Sequence, residues 1–159
     1  RNVFSDTTFL QGSVSAKAII ALLDGLRVIG RCQLGGTMVD NIYDLPPLLR
    51  FYAGGDQSVR GYAYKSIGPQ DALGNVLGGR YLATYSVEVE RTLVEGWSAA
   101  LFFDSGDAFN SLPDVAMKNG GGVGIRWELP FGQVRLDLAK ALNGEDGDWR
   151  IHFTVGADL

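Results

Sequence analysis

The stretch Trp149-Arg-Ile-His-Phe-Thr-Val-Gly-Ala-Asp-Leu159 decides the fold of this chain of 159 residues. Its residues fall alternately on two faces. One face is apolar and carries Trp149, Ile151, Phe153, Val155, Ala157 and Leu159; the other carries Arg150, His152, Thr154, Gly156 and Asp158. Alternation with a period of two is typical of a β-strand that separates two different environments. The sequence therefore predicts a final amphipathic strand over about 149–159.

The same alternation recurs in six earlier segments of about ten residues. They cover about 10–21, 26–35, 81–90, 97–104, 123–129 and 134–139. Short turns at 23–25, 95–96 and 130–132 alternate with longer loops at about 40–79, 107–120 and 143–148. Short turns at one end and long loops at the other are typical of outer-membrane barrels. We therefore predict an all-β fold of about seven antiparallel transmembrane strands.

A soluble β-sandwich is the alternative, because it also buries one face of each strand. Strands in globular proteins are usually about 5–6 residues long, and these segments are longer. Aromatic residues also stand at the ends of the apolar faces, at Tyr81, Trp97, Trp127 and Trp149. Amphipathic rings at strand ends favour a membrane-interface girdle, so we favour the barrel.

Composition limits the function classes. The chain has 14 basic and 18 acidic residues, a net charge of −4, which argues against a nucleic-acid partner. No apolar run approaches the roughly 20 residues of a membrane-spanning helix. The single Cys32 allows no internal disulfide. The chain begins at Arg1 without a leader, so we expect either a removed segment or a piece of a longer protein.

Leu101-Phe-Phe-Asp-Ser-Gly106 offers one candidate for catalysis. Its Asp-Ser-Gly matches the tripeptide of aspartic proteases, in which two carboxylates share a proton, so a soluble aspartic protease that uses Asp104 is one function to weigh. We favour a plainer interpretation, in which Asp104 is the last inward residue of a strand and Ser105 begins a loop. No set of nucleophile, base and orienting group is visible elsewhere, and the sequence predicts no enzyme.

Two other features suggest chemistry only superficially. Gly120-Gly-Gly-Val-Gly124 precedes a predicted strand and not a helix, so it does not fit a phosphate-binding loop; we predict a strand start where glycines relieve crowding inside a closed sheet. His152 has no nearby Cys or His to complete a metal site. We interpret it as a polar residue that faces the barrel lumen, and we predict no metal and no cofactor.

Arg60 lies in the glycine-rich loop stretch Phe51-Tyr-Ala-Gly-Gly-Asp-Gln-Ser-Val-Arg-Gly-Tyr62. Glu88, Phe102 and Asp104 fall on the polar faces of two consecutive predicted strands. A desolvated arginine is well matched by carboxylates and an aromatic ring. We therefore predict that the long loop folds back into the lumen and places Arg60 against these three residues.

The stretch 51–62 resembles the signature of the superfamily of outer-membrane insertases and two-partner secretion transporters, which includes BamA and TamA. Ala63-Tyr-Lys-Ser-Ile-Gly-Pro69 and the ending Val155-Gly-Ala-Asp-Leu159 resemble TamA more than BamA. The resemblance runs from about residue 45 to the end. It implies a 16-stranded barrel whose sixth extracellular loop enters the lumen.

The resemblance also implies roles for individual residues. Val59, Arg60, Gly61 and Tyr62 form the loop motif, and Glu88, Phe102 and Asp104 receive the arginine. The last strand carries a sorting signal and meets the first strand at a weak seam that opens laterally. The residues assigned to that strand and seam are Trp149, Phe153, Val155, Gly156 and Leu159.

By this resemblance, residues 1–159 are the C-terminal segment of the barrel and supply about its last seven strands. The implied function is non-enzymatic insertion or export of other outer-membrane proteins in a Gram-negative outer membrane; the alternative is a two-partner secretion transporter pore. Expected partners are membrane lipid, client outer-membrane proteins and a periplasmic protein anchored in the inner membrane. A half-barrel leaves two open edges, which are costly in lipid.

Overall fold

A computed structural model describes residues 8–130, 132–143 and 149–156. Seven strands form one antiparallel sheet in chain order. They are β1 (Leu10–Leu23), β2 (Leu26–Met38), β3 (Tyr81–Val94), β4 (Trp97–Phe109), β5 (Lys118–Leu129), β6 (Gly132–Ala141) and β7 (Trp149–Gly156). This confirms the prediction of an all-β, antiparallel chain.

In the part of the chain that the structure describes, three short 3₁₀ helices lie in the loops: Ile42–Asp44, Pro47–Leu49 and Leu112–Asp114. No helix among the described residues is long and apolar enough to cross a membrane. Leu159, which we placed at the seam, lies outside the described residues, and so do Ala157 and Asp158 of the predicted last strand.

The predicted end of the fourth strand is wrong. β4 continues through Ser105 and Gly106 to Phe109, and Ser105 pairs with Tyr85 on one side and Asn119 on the other. Both neighbouring strands offer hydrogen-bonding partners there, so the ladder continues although the hydrophobic alternation has ended. For the same reason β5 begins at Lys118, which places the glycine run inside the strand.

The two faces of the sheet reverse the usual order of a soluble protein. Large apolar side chains on one face are exposed, including Val87, Leu101 and Ile125. The opposite face is polar and buried. Its members include Glu88, Glu90, Ser98, Asp104, Arg126, Asp137 and His152. Such a sheet has a polar interior and an apolar outer surface, as barrels in lipid do.

Aromatic residues mark both ends of the outer face. Near the short turns, Trp97 and Trp127 stack with ring centroids 5.4 Å apart. Near the long loops, the rings of Tyr81 and Phe109 pack with their centroids 5.6 Å apart. Rings at two levels are the arrangement expected at the two membrane–water interfaces.

The loop between β2 and β3 packs against the inner face of the sheet. Its backbone forms isolated bridges, Phe51 with Gly79 and Ala53 with Ile67. A small apolar core joins loop and sheet, made of Ala53, Val59, Ile67, Leu82 and Ala108. This core holds the loop motif over the polar face.

Candidate functional site

Val59 and Gly61 set the position of the loop arginine between them. Val59 is fully buried in the loop core. Gly61 has φ +96, and a Cβ there would lie 2.6 Å from the Lys140 carbonyl carbon of β6. Only glycine adopts this conformation readily and allows so close an approach. Arg60 is thereby directed into the sheet.

Asp104 of β4 makes three hydrogen bonds with Arg60. Arg60 Nε donates to Asp104 Oδ2 at 2.7 Å, and Nη2 donates to Oδ1 at 2.9 Å. The Arg60 backbone N–H also donates to Oδ2, at 3.1 Å. A bidentate pair between guanidinium and carboxylate is among the strongest side-chain interactions, and it fixes orientation as well as position.

Two further carboxylates and a ring complete the surroundings of Arg60. Its Nη1 lies 3.0 Å from Glu88 Oε2 of β3 and 3.0 Å from Asp137 Oδ2 of β6. The guanidinium carbon stands 3.4 Å from the centre of the Phe102 ring. Burial by itself lowers the pKa of Arg60, but hydrogen bonding and charge attraction from Asp104, with Glu88 and Asp137, raise it above its ordinary value. The arginine is therefore a permanent cation that joins three strands to the loop.

A second buried arginine, Arg126 of β5, braces the same carboxylates from the other side. It has no exposed surface, and it contacts Glu88 Oε1 at 2.8 Å and Asp137 Oδ1 at 2.6 Å. Arg31 of β2 adds a contact of 3.2 Å to Glu88. We call the six residues Arg31, Arg60, Glu88, Asp104, Arg126 and Asp137 the arginine cluster. Its charges balance, which such burial requires.

The sequence interpretation missed Arg126 and Asp137. Both lie on the inward, polar positions of their strands, so the alternation already marked them as lumen-facing. What the sequence lacked was the register that brings β3 and β6 to a common point through β4 and β5. Glu88 lies opposite Phe102 in β4, and Asp137 lies opposite Gly124 in β5.

The glycine run of β5 makes room for the loop. Gly120 pairs with Asp104, and a Cβ at Gly120 would lie only 1.8 Å from the Arg60 carbonyl oxygen. Any side chain here would collide with the loop backbone. Gly120 therefore relieves crowding between sheet and loop, which the sequence did not predict. A Cβ at Gly122 would instead lie 2.1 Å from the Leu138 carbonyl oxygen of β6, which is crowding within the sheet, as predicted.

His152 links the loop motif to the last strand, β7. The Gly61 N–H donates to His152 Nε2 at 3.1 Å, and His152 Nδ1 bonds Asp56 Oδ1. Because Nε2 accepts, the neutral ring carries its proton on Nδ1, where it points at Asp56. His152 is buried and faces inward, as predicted, but its two bonds to the loop were not foreseen.

The chain matches the Omp85 superfamily domain over residues 2–159. It belongs to the Omp85 superfamily. The family is non-enzymatic, so the aspartic protease alternative built on Asp104 is wrong. Omp85 proteins are barrels of the bacterial outer membrane, which confirms the predicted location.

Two curated relatives of this Omp85 chain are outer membrane protein assembly factors named BamA. The protein from Nitratidesulfovibrio vulgaris is 28% identical over 164 residues, covering 95% of this chain and 20% of the relative. The protein from Neorickettsia risticii is 28% identical over 158 residues, covering 90% and 21%. The chain thus spans about a fifth of the length of the curated relatives it matches.

Two solved structures share the fold. BamA from Haemophilus ducreyi lacking POTRA domains 1–3 superposes with a TM-score of 0.74 at 20% identity, covering 93% of this chain and 34% of that one. CdiB from Acinetobacter baumannii gives 0.63 at 21% identity, covering 94% and 27%. The seven-stranded open sheet therefore corresponds to part of an Omp85 barrel. The preference for a TamA-type subclass stays a prediction.

The predicted seam residues lie apart from the arginine cluster. Trp149, Phe153 and Val155 point outward from β7 and are exposed, and Gly156 ends the described part of that strand opposite Gln133 of β6. Within the described ranges, β7 pairs with β6 alone. The same ranges hold no group of three or more His, Cys, Asp or Glu residues that could bind a metal.

Proposed function

We propose that this chain is the C-terminal part of the barrel of an outer-membrane assembly factor, which helps insert or export other outer-membrane proteins without enzymatic chemistry. One observation carries the proposal: the two curated relatives, which match 95% and 90% of the chain, are both assembly factors by name. Residues 63–69 and 155–159 favour a TamA-type member of this class.

In this proposal the arginine cluster holds the loop inside the lumen and keeps the barrel in its working state. Arg60 contacts strands β3, β4 and β6, and Gly61 contacts β7. A single loop motif therefore spans the part of the sheet that ends at the predicted seam. Loss of the arginine would leave the buried Asp104 carboxylate without the cation that it binds, a cost of about 3–5 kcal/mol.

The outer edge of β7 is the proposed template for client strands. A strand edge with unpaired backbone groups binds an incoming extended segment by β-augmentation. The clients are then nascent outer-membrane barrels, whose own strands supply such edges. The further partners we propose are membrane lipid and a periplasmic protein anchored in the inner membrane.

The test uses the full-length protein reconstituted in lipid vesicles. Folding of a denatured client barrel is followed by its heat-modifiable migration on gels. We expect Arg60→Ala to slow client folding at least about tenfold, which corresponds to about 1.4 kcal/mol, and to expose the loop to protease. Arg150→Ala, which removes an exposed arginine on β7, is the matched control and should leave both unchanged.

Two outcomes would count against separate parts of the proposal. If the wild-type protein does not speed client folding over empty vesicles, the assembly function is wrong. If it does, but Arg60→Ala has wild-type activity and wild-type protection of the loop, the role given to the arginine is wrong.

A two-partner secretion transporter is the second candidate, because CdiB, a transporter of this family, shares the fold. The same vesicles separate the two candidates. Movement of a secreted partner polypeptide into the vesicle lumen, without acceleration of client folding, would favour the transporter.

A further inference from the structure

Arg91 is a charged residue on the apolar outer face of the sheet. It follows Val87 and Val89 on the outward positions of β3 and is exposed. Its neighbours across the sheet are apolar: Leu26 in β2 and Ala99 in β4. A charge that faces lipid is costly at the bilayer centre, by about 2–4 kcal/mol, and the cost falls towards the interface.

The side chain of Arg91 points to the turn end of the sheet. Its Nη1 donates to the Asp24 carbonyl oxygen in the β1–β2 turn, at 3.3 Å. That long hydrogen bond is the only one that its guanidinium makes among the described residues, so most of its five donors are available. The stacked Trp97 and Trp127 lie one outward position nearer the turns on β4 and β5. The guanidinium is thus placed at the interface level, on the side of the short turns.

An apolar groove opens beside Arg91 on the same face. Its volume is about 660 Å³. Ala99 lies between the larger Trp97 and Leu101 on the outward face of β4, and its small side chain leaves the space. Besides Arg91 itself, the lining includes Val89, Ala99, Leu101, Val123, Ile125 and Leu136. The groove runs from the arginine towards the centre of the outer face.

We propose that Arg91 and this groove form a binding site for one glycerophospholipid of the periplasmic leaflet. The lipid phosphate would pair with the guanidinium, and one acyl chain would lie over Ala99. The charge of Arg91 complements a phosphate, and the lining of the groove complements a hydrocarbon chain. Short turns of outer-membrane barrels face the periplasm, so the arginine meets the headgroups of that leaflet.

The experiment compares two lipids that carry the same acyl chains. Full-length protein in detergent is mixed with phosphatidylglycerol or with diacylglycerol, which lacks the phosphate, and bound lipid is counted by native mass spectrometry. We expect the wild type to retain phosphatidylglycerol preferentially. Arg91→Gln should weaken phosphatidylglycerol binding about fivefold, the contribution of one basic residue near a lipid surface, and leave diacylglycerol unaffected.

Three further variants test the two halves of the site. Arg91→Lys keeps the charge and should keep most of the preference. Ala99→Leu fills the groove and should weaken binding of both lipids. Arg150→Gln removes an exposed arginine from the inner face of β7 and should change neither.

The proposal is wrong if wild-type protein retains the two lipids equally, since the groove would then hold any acyl chain. It is also wrong if Arg91→Gln, with a wild-type circular dichroism spectrum, keeps the preference. Displacement of the bound lipid by millimolar inorganic phosphate alone would contradict it too, because the site would then select a free anion.

Discussion

Replacing Gly120 by alanine should expel the loop from the lumen without touching any charged group. The new Cβ would lie 1.8 Å from the Arg60 carbonyl oxygen and 3.1 Å from its carbon. Real Cβ atoms essentially never lie closer than 3.0 Å to such an atom. The distance from the new Cβ to the carbonyl oxygen must therefore grow from 1.8 Å to at least 3.0 Å. The colliding atom is backbone and cannot rotate away, so either the loop or strand β5 has to move.

The loop is the element that we expect to yield, because β5 is hydrogen-bonded on both sides. The hydrogen bonds between Arg60 and Asp104 are 2.7 to 3.1 Å long. A movement of the loop that takes the Cβ–oxygen distance from 1.8 Å to 3.0 Å breaks at least some of them. Separating the partners of a buried ion pair costs about 3–5 kcal/mol. At about 1.4 kcal/mol per tenfold, the released form of the loop should become at least about a hundredfold more populated.

Labelling of a buried cysteine measures that release. Val59 is fully buried, so Val59→Cys, with Cys32→Ser to remove the native thiol, reacts with a water-soluble maleimide only when the loop leaves. We expect Gly120→Ala to raise the labelling rate of the full-length protein in vesicles about a hundredfold. Gly12→Ala in β1 is the control, since a Cβ there meets nothing within 4 Å.

Labelling of folded Gly120→Ala protein at the wild-type rate would refute this reasoning. So would a matching increase in the Gly12→Ala control, because strand glycines in general would then set the rate.

Two other predictions follow from contacts of the loop. His152→Ala removes the acceptor of the Gly61 N–H, a hydrogen bond worth about 1 kcal/mol, so the hydrogen-exchange rate of that amide should rise about fivefold. The control Thr154→Ala should leave the rate unchanged. Equal exchange rates in both variants would show that this hydrogen bond does not stabilise the docked loop. Hydrogen bonds from the Asn75 side chain and backbone lower the pKa of Asp71 in the folded protein below its ordinary value. These hydrogen bonds therefore stabilise the turn fully at a pH above the pKa of Asp71 in the unfolded chain. The stabilisation is lost as the pH falls through the lower pKa of the folded protein. A carboxyl NMR titration should place the Asp71 midpoint below that of an ordinary aspartate, and a midpoint at or above it would contradict the turn geometry.

The alternation of apolar and polar residues predicted all seven strands and both faces. It could do so because each strand separates lipid from a polar interior, so successive residues face lipid and the interior in turn. It failed at the loop ends of β4 and β5, where Ser105, Gly106 and Lys118 lie in the ladder. From Ser105 to Ala108 and from Lys118 to Gly122 the residues on both faces are polar or small, and only the backbone partners on neighbouring strands decide where the strand stops.

The contacts of Arg60 were predictable in part for a related reason. Arg60 contacts the carboxylates Glu88 and Asp104, which lie at inward positions of adjacent strands. The loop has only to fold back once over the sheet to bring the three together. Asp137 and Arg126 were out of reach because their meeting with Glu88 depends on how four strands are staggered. Stagger is a cumulative property of the whole sheet, and no single stretch of sequence records it.

The long sequence separations inside the arginine cluster imply an order of events during folding. Arg60 bonds Asp104, 44 residues away, and Asp137, 77 residues away. Contacts between such distant residues form late, because the chain between them must first be ordered. Docking of the loop therefore requires that β3 to β6 already stand in correct register. A docked loop therefore reports that the three pairings β3–β4, β4–β5 and β5–β6 have formed in register.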